Sequence, residues 1–359
     1  MKIAIFTDTY LPTINGVSYA IESWKDELEK RGHEVTVVCP DADGAPSEAT
    51  FKSIEIPFYE GYYAGFYPPT DHDFSDYDAV HVNSFFTVGY YGYRVAKKNN
   101  LKIISTVHTP IDEYLDYVTQ LKPVQKLISR VYNRWEARLL KKADVRIALS
   151  EYMKNRIEEV TGEKDARRLT NGVNTNFFRP KDTTKFREKH GIEGKKIIGY
   201  AGRLSSEKRV QELIEFAEKF EGKVLIGGDG PYREKLESQV ETDNVRFLGF
   251  IDREELPAFY SILDIMVFPS RVENDPLTVL EANACGTPVV GADAAGLKDS
   301  IEEGKNGYLF DPRNMEDLEN SVEKSYSNLQ DLNQSSIKKA EENSISNTVD
   351  KLLEFYSGD

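Results

Sequence analysis

Cysteine is nearly absent. Cys39 and Cys285 are the only two in 359 residues, far apart and without metal-ligand spacing. A disulfide-built scaffold is disfavoured, and a reducing cytoplasm fits best. No apolar run reaches the roughly 18 residues that a membrane span needs. The opening Met1-Lys-Ile-Ala-Ile-Phe6 meets Asp8 too early for a secretion signal and reads as a first strand. Basic residues are in deficit: 46 Lys and Arg against 60 Asp and Glu leave a formal net charge of −14. That balance argues against nucleic acid as a partner. A Gly-x-Gly-x-x-Gly fingerprint is missing after the first strand, which counts against a nicotinamide-dependent dehydrogenase.

What is present is a soluble globular composition, 40% hydrophobic and 30% charged. A chain of this length exceeds one ordinary core and suggests two domains. Short β-branched runs alternate with helical patterns throughout. Strands are expected at Lys2–Phe6, Glu34–Cys39, Ala79–Asn83, Lys102–His108 and Asp144–Leu149, with helices near Val17–Arg31, Val88–Asn99 and Val124–Lys142. The second half repeats the scheme with Lys196–Ala201, Lys223–Gly227, Val245–Leu248, Ile265–Phe268 and Pro288–Gly291. Such alternation predicts doubly wound α/β domains with parallel sheets and ligands beyond the carboxyl strand ends. Breaks near Asn171–Lys195 place the join there. The polar stretch Gln330–Ser346 interrupts the pattern again, before a last amphipathic helix. The expected domains are 1–170, joined by the C-terminal helix 345–359, and 171–344, with a ligand in a cleft between them.

The most informative segment is Arg271-Val-Glu273-Asn-Asp275-Pro276-Leu277-Thr-Val-Leu-Glu281. Asp275 is a good N-cap and Pro276 a good first helical residue. Glu281 then lies about 9 Å along the helix from the cap. A helix start favours an anion, and each glutamate can accept hydrogen bonds from a diol, so a nucleotide sugar fits. Gly202-Arg203-Leu-Ser-Ser-Glu-Lys208 follows the first strand of the second half. With Ser205 or Ser206 as cap, Lys208 falls in a first helical turn, and Arg203 and Lys208 converge to neutralise a diphosphate. Gly227-Gly228-Asp229-Gly230-Pro231 permits tight turns, either shaping a nucleotide pocket or simply turning the chain. In the first half, Gly16 would let helix-start amides face a phosphate or sugar; an ordinary βα turn fits the same residues. His108 stands at a strand end, where a histidine is more often functional than structural.

Together these residues resemble the retaining nucleotide-sugar glycosyltransferases of the GT-B fold, in the large family with a glutamate–seven–glutamate motif (glycosyltransferase family 4, group 1). The matching segments are NGVS at Asn15, TVHT at His108, NGVN at Asn171, GRLSSEKRV, GGDGP, the glutamate pair and EANACGTPVV. The opening FTDTYLPTINGVS most resembles glycolipid enzymes such as digalactosyl- and sulfoquinovosyl-diacylglycerol synthases and phosphatidylinositol mannosyltransferases. The resemblance implies two Rossmann-like domains whose sheets face an interdomain cleft. It implies that Arg203 and Lys208 hold the donor diphosphate, Glu281 the ribose and Glu273 the sugar hydroxyls. Leu277 would lie beside the donor, Gly16 would border the phosphates, and His108 would support the sugar. Gly228, Gly249, Phe250 and Ile251 would line the nucleotide pocket. It further implies no cofactor, no metal, and front-face transfer in which the leaving phosphate oxygen takes the acceptor proton. One departure stands out: Asp275-Pro276 replaces the family's common Phe-Gly, so one N–H is lost where phosphates bind.

For the acceptor, Lys122, Lys126, Arg130, Arg134, Arg138, Lys141, Lys142 and Arg146 crowd a region with only Glu136 and Asp144 as acids. Leu127, Val131, Trp135 and Leu139 adjoin them. A basic amphipathic helix can dock on anionic lipid; the same pattern fits a solvated face over a core stripe. Tyr59, Tyr62, Tyr63, Phe66 and Tyr67 lie in an expected loop as an acceptor wall or as loop packing. The resulting expectation is a cytoplasmic enzyme, peripheral at the inner face of the membrane, that glycosylates a lipid or lipid-linked glycan. A soluble sugar or glycan acceptor, a sugar-nucleotide epimerase and a silent binding protein remain as alternatives.

Overall fold

The Ile- and Val-rich runs become strands buried on both faces, as parallel sheets covered by helices require. Ile3–Phe6 and Ile265–Phe268 are withdrawn from solvent along their lengths. The protein, a computed structural model, is described over residues 1–42, 44–47, 49–56, 63–109 and 121–358. It forms two compact units, Met1–Asn171 with Ile345–Asp359, and Gly172–Ser344.

The first unit holds β1 (Lys2–Phe6), β2 (Glu34–Pro40), β3 (Ala49–Glu55), β4 (Tyr63–Tyr67), β5 (Ala79–Val82), β6 (Lys102–Val107), β7 (Val145–Ala148) and β8 (Arg167–Arg168). Their order is β4-β3-β2-β1-β5-β6-β7-β8. Neighbours run parallel except β3 and β4, which are antiparallel. The helix Gly16–Lys30 opens on Asn15, whose side chain accepts from the Ser18 N–H at 3.0 Å. The C-terminal helix Ile345–Ser357 belongs to this unit: Arg31 pairs with Asp350 at 2.5 Å, and the Tyr356 hydroxyl meets His81 Nδ1 at 2.7 Å.

The second unit holds β9 (Ile197–Ala201), β10 (Lys223–Gly227), β11 (Val245–Gly249), β12 (Ile265–Phe268), β13 (Val289–Ala292) and β14 (Gly307–Phe310). The all-parallel order is β11-β10-β9-β12-β13-β14.

Three expectations need correction. Tyr63, Phe66 and Tyr67 are on strand β4, not in a loop; Gly65 there packs closely on Phe51. Tyr59 and Tyr62 lie outside the described residues. The polar stretch from Gln330 is no break but the helix Leu329–Glu342, which buries Leu332, Ser336 and Ala340 at a spacing of four. The helix Lys122–Leu140 buries Leu139 and Leu140, whereas Leu127, Val131 and Trp135 are exposed and form no core stripe.

Candidate functional site

In the second sheet the strand order reverses beside β9: β10 and β11 extend one way, and β12 returns on the other side. Open α/β sheets bind ligands at such a switch point, outside the carboxyl ends of the strands. The loop after β9 carries Arg203 and Lys208; the loop after β12 carries Arg271 and Glu273. Strand adjacency brings them together across 65 residues of chain: Lys208 Nζ donates to Glu273 Oε1 at 2.6 Å. Both side chains are largely withdrawn from water. A second tie runs through Glu212, buried, which accepts from Arg209 Nε and from Arg271 Nη2 at 2.8 Å. Arg271 Nη2 also donates to the Pro312 carbonyl. Arg203 is exposed on the same loop.

The helix starts differ from expectation. Lys208 ends a short 3-10 turn, Ser206–Lys208, and the α-helix begins only at Gln211, after Arg209 in the left-handed region at φ 53°. Ser205 makes no capping bond; its hydroxyl goes to Glu207. The helix after Glu273 runs Leu277–Ala284, with Pro276 as the cap residue rather than Asp275. Leu277 is therefore its first residue, and Glu281 stands about 7.5 Å from the cap, not 9. The shift has a consequence for the Asp275-Pro276 departure: the missing N–H of Pro276 falls on the cap, outside the first-turn donors Leu277 and Thr278.

The glycine-rich strand ends are zipped by backbone. Gly202 N–H donates to the Gly227 carbonyl at 3.1 Å, Gly228 N–H to Gly249 at 2.7 Å, and Leu204 N–H to Asp229 at 2.9 Å. Gly228 adopts φ +125°, and a Cβ there would overlap the Gly202 carbonyl oxygen. Asp229 accepts from Gly230 N–H at 2.7 Å and from Arg233 at 3.0 Å, so it turns the chain. Gly249 is at φ +73° and Phe250 is exposed, whereas Ile251 packs into the core against Gly227. The Ile251 side chain, expected beside the nucleotide, is thus turned into the core.

Glu281 is buried. Its Oε2 accepts from the Tyr260 hydroxyl at 2.9 Å, and Oε1 lies 3.9 Å from Arg253 Nη1. Burial raises its carboxyl above the ordinary range, while Arg253 and the Tyr260 hydroxyl pull it back. The Arg253 guanidinium stacks over Phe177 and Phe178 at 5.7 and 5.4 Å. Sequence reading missed Tyr260, Arg253, Glu212 and Arg271, because each acts through a partner distant in the chain.

In the first unit, nothing lies within 4 Å of where a Cβ on Gly16 would stand. Packing therefore does not demand that glycine. His108 follows β6 and bonds Asn83 Oδ1 through Nε2 at 2.8 Å. Trp24 lies against both His108 and His81, with centroids 5.7 and 5.6 Å apart, and its indole N–H holds the Asn171 carbonyl at 2.8 Å. Burial lowers both imidazoles to about 3, so both are neutral near pH 7.

On the helix Lys122–Leu140, Leu127 is 61% and Val131 59% exposed, and Ile128 and Trp135 also reach solvent. Phe86 and Tyr90 continue this surface, Tyr90 against Trp135 at 5.3 Å and Phe86 against Tyr132 at 5.9 Å. Arg130, Arg134 and Arg138 are exposed along the same helix, and among the described residues no ion pair engages them. Also among the described residues, no group of three or more His, Cys, Asp or Glu could hold a metal, and no helix is long and apolar enough to cross a membrane.

Comparison with known proteins adds the family. Residues 14–177 match the model described as Glycosyltransferase Family 4, and residues 182–343 the model described as Glycosyl transferases group 1. The alpha-monoglucosyldiacylglycerol synthase of Streptococcus pneumoniae is 28% identical over 99% of this chain and 85% of its own length. A GDP-mannose-dependent alpha-mannosyltransferase of Mycolicibacterium smegmatis is 28% identical over 87% of this chain and 84% of its own. Among solved structures, HepE of Anabaena, in complex with UDP and glucose, superposes with a TM-score of 0.79 at 20% identity, covering all of both chains.

Proposed function

Because the chain belongs to the glycosyltransferases of family 4, group 1, with the GT-B fold and a nucleotide sugar as donor, we propose that it transfers a hexose to a hydroxyl of a membrane lipid or lipid-linked glycan. The observation that carries the lipid reading is the helix Lys122–Leu140. Its exposed Leu127, Ile128, Val131 and Trp135 lie among Arg130, Arg134 and Arg138. Apolar side chains can enter the acyl boundary while guanidinium groups meet anionic headgroups, and Trp and Tyr suit that interface. Similarity to a monoglucosyldiacylglycerol synthase over 99% of this chain and 85% of that protein points the same way.

In this reading Lys208 and Arg203 neutralise the donor diphosphate, with the Leu277 helix start as a further anion site. Glu273 accepts hydrogen bonds from the sugar and Glu281 from the ribose. Gly228, Gly249 and Phe250 border the base. In the first unit, Gly16 offers an open approach to its backbone, and neutral His108 suits a sugar hydroxyl better than an anion. The sugar's bond to the phosphate oxygen breaks as the acceptor oxygen attacks the same face. The acceptor proton passes to the departing phosphate, so configuration is retained and no metal is needed. Stabilising the leaving diphosphate by fixed cations is then the main catalytic term.

The experiment is incubation with UDP-glucose, UDP-galactose, GDP-mannose or ADP-glucose and vesicles carrying diacylglycerol or phosphatidylinositol. A glycolipid with the donor's anomeric configuration is the expected product, formed undiminished in chelator. Transfer to soluble sugars only, or release of an altered nucleotide sugar without acceptor, would overturn the lipid reading.

A further inference from the structure

We infer that Glu273 makes the site discriminate between a nucleotide sugar and the bare nucleoside diphosphate, by competing with the diphosphate for Lys208. This rests on the donor reading above and goes beyond it. The 2.6 Å contact places a carboxylate oxygen where a cation meant for phosphate can be reached, in surroundings largely closed to water. A carboxylate and a phosphate oxygen are alternative partners for one ammonium group, and the flexible lysine stem lets it move between them.

The contact is not required to hold the two loops together. Glu212 already joins Arg209 to Arg271, Arg271 holds the Pro312 carbonyl, and Gly296 N–H holds the Glu273 carbonyl at 2.8 Å. The Lys208–Glu273 pair can therefore open while the Glu273 backbone stays in place.

An incoming diphosphate must draw Lys208 away and leave the Glu273 carboxylate without its ammonium partner. With a nucleotide sugar, the displaced carboxylate gains the sugar hydroxyls as new donors. With a nucleoside diphosphate it gains nothing in return for the lost Lys208 contact. After transfer the product lacks the sugar, so Glu273 recaptures Lys208 and helps expel it. One residue thus ties recognition of the intact donor to release of the spent one.

The test is calorimetric titration with UDP, GDP and ADP, then with UDP-glucose, GDP-mannose or ADP-glucose for whichever base binds. In Glu273→Gln, affinity for the nucleoside diphosphate should rise about tenfold, the effect of removing one close competing charge, while affinity for the nucleotide sugar falls. Against a Lys208→Gln background, the same substitution should no longer tighten the diphosphate. Thermal unfolding of each variant reports whether it is folded. Equal weakening of both ligands by Glu273→Gln, or tightening that persists without Lys208, would overturn the competition and leave the donor site standing. Wild-type protein that binds none of the three diphosphates would overturn both.

Discussion

Glu136, the one acid on the helix Lys122–Leu140, is turned inward onto Arg156, Oε2 to Nη1 at 2.7 Å. Asn133 Oδ1 accepts from the same guanidinium at 3.1 Å. The helix's own carboxylate is thereby spent on anchoring it to the helix Glu151–Thr161, and its outer face is left cationic.

Breaking that anchor should be costly. Arg156→Ala leaves the buried Glu136 charge without its guanidinium, a loss of about 3–5 kcal/mol. Urea denaturation should show it as a lowered midpoint, partly restored by adding Glu136→Gln. An unchanged midpoint in the single variant would contradict the anchoring role.

The outer face makes a separate prediction. Replacing Arg130, Arg134 and Arg138 together by Gln should weaken binding to anionic vesicles by about 3 kcal/mol, from about 1 kcal/mol per basic residue near the surface. Stability should barely change, since all three are exposed. Cosedimentation with phosphatidylglycerol vesicles at several salt concentrations measures this. Equal binding by wild type and variant removes the headgroup contact.

His81 and His108 give a pH signature. Burial lowers each to about 3 from an ordinary 6.5, and His81 also feels His108. The unfolded chain therefore takes up their protons first. Their contribution to stability is complete above pH 6.5 and is lost as pH falls towards about 3. Each histidine adds a slope approaching about 1.4 kcal/mol per pH unit inside that window. His81→Gln, facing Thr106, Tyr356 and Trp24, should flatten the unfolding midpoint between pH 6 and 4 relative to wild type. Parallel curves would contradict the neutral buried state.

Gly228→Ala should damage the phosphate-side loops. The residue adopts φ +125° and its Cβ would strike the Gly202 carbonyl, so either the zipper opens or the strand ends shift. A loss of nucleotide binding with a lowered thermal midpoint is expected. Normal values for both would show that the close approach is dispensable.

The strand–helix alternation was legible because buried parallel strands are plain aliphatic runs. The β3–β4 pair was not: an antiparallel edge with exposed Phe66 and Tyr67 reads like a loop. The helix Leu329–Glu342 was hidden because its buried positions include Ser336 and Ala340, which carry little apolar signal. Asp275 is a favoured cap residue, yet the helix starts one residue later with Pro276 in the cap position. Lys208 and Glu273 were each readable as ligand groups. Their pairing was not, since it follows from β12 returning beside β9. The exposure of Leu127 and Val131 likewise depends on which face Arg156 pulls inward.

Titrating the nucleoside diphosphate into wild-type protein and into the Arg203→Ala/Lys208→Ala double variant tests the diphosphate site most directly. Saturable binding by the wild type and a loss of at least about 100-fold in the variant are expected, for two charge-assisted contacts of about 1.5–3 kcal/mol each. Wild-type affinity in the double variant would contradict it, because the diphosphate would then be held somewhere else.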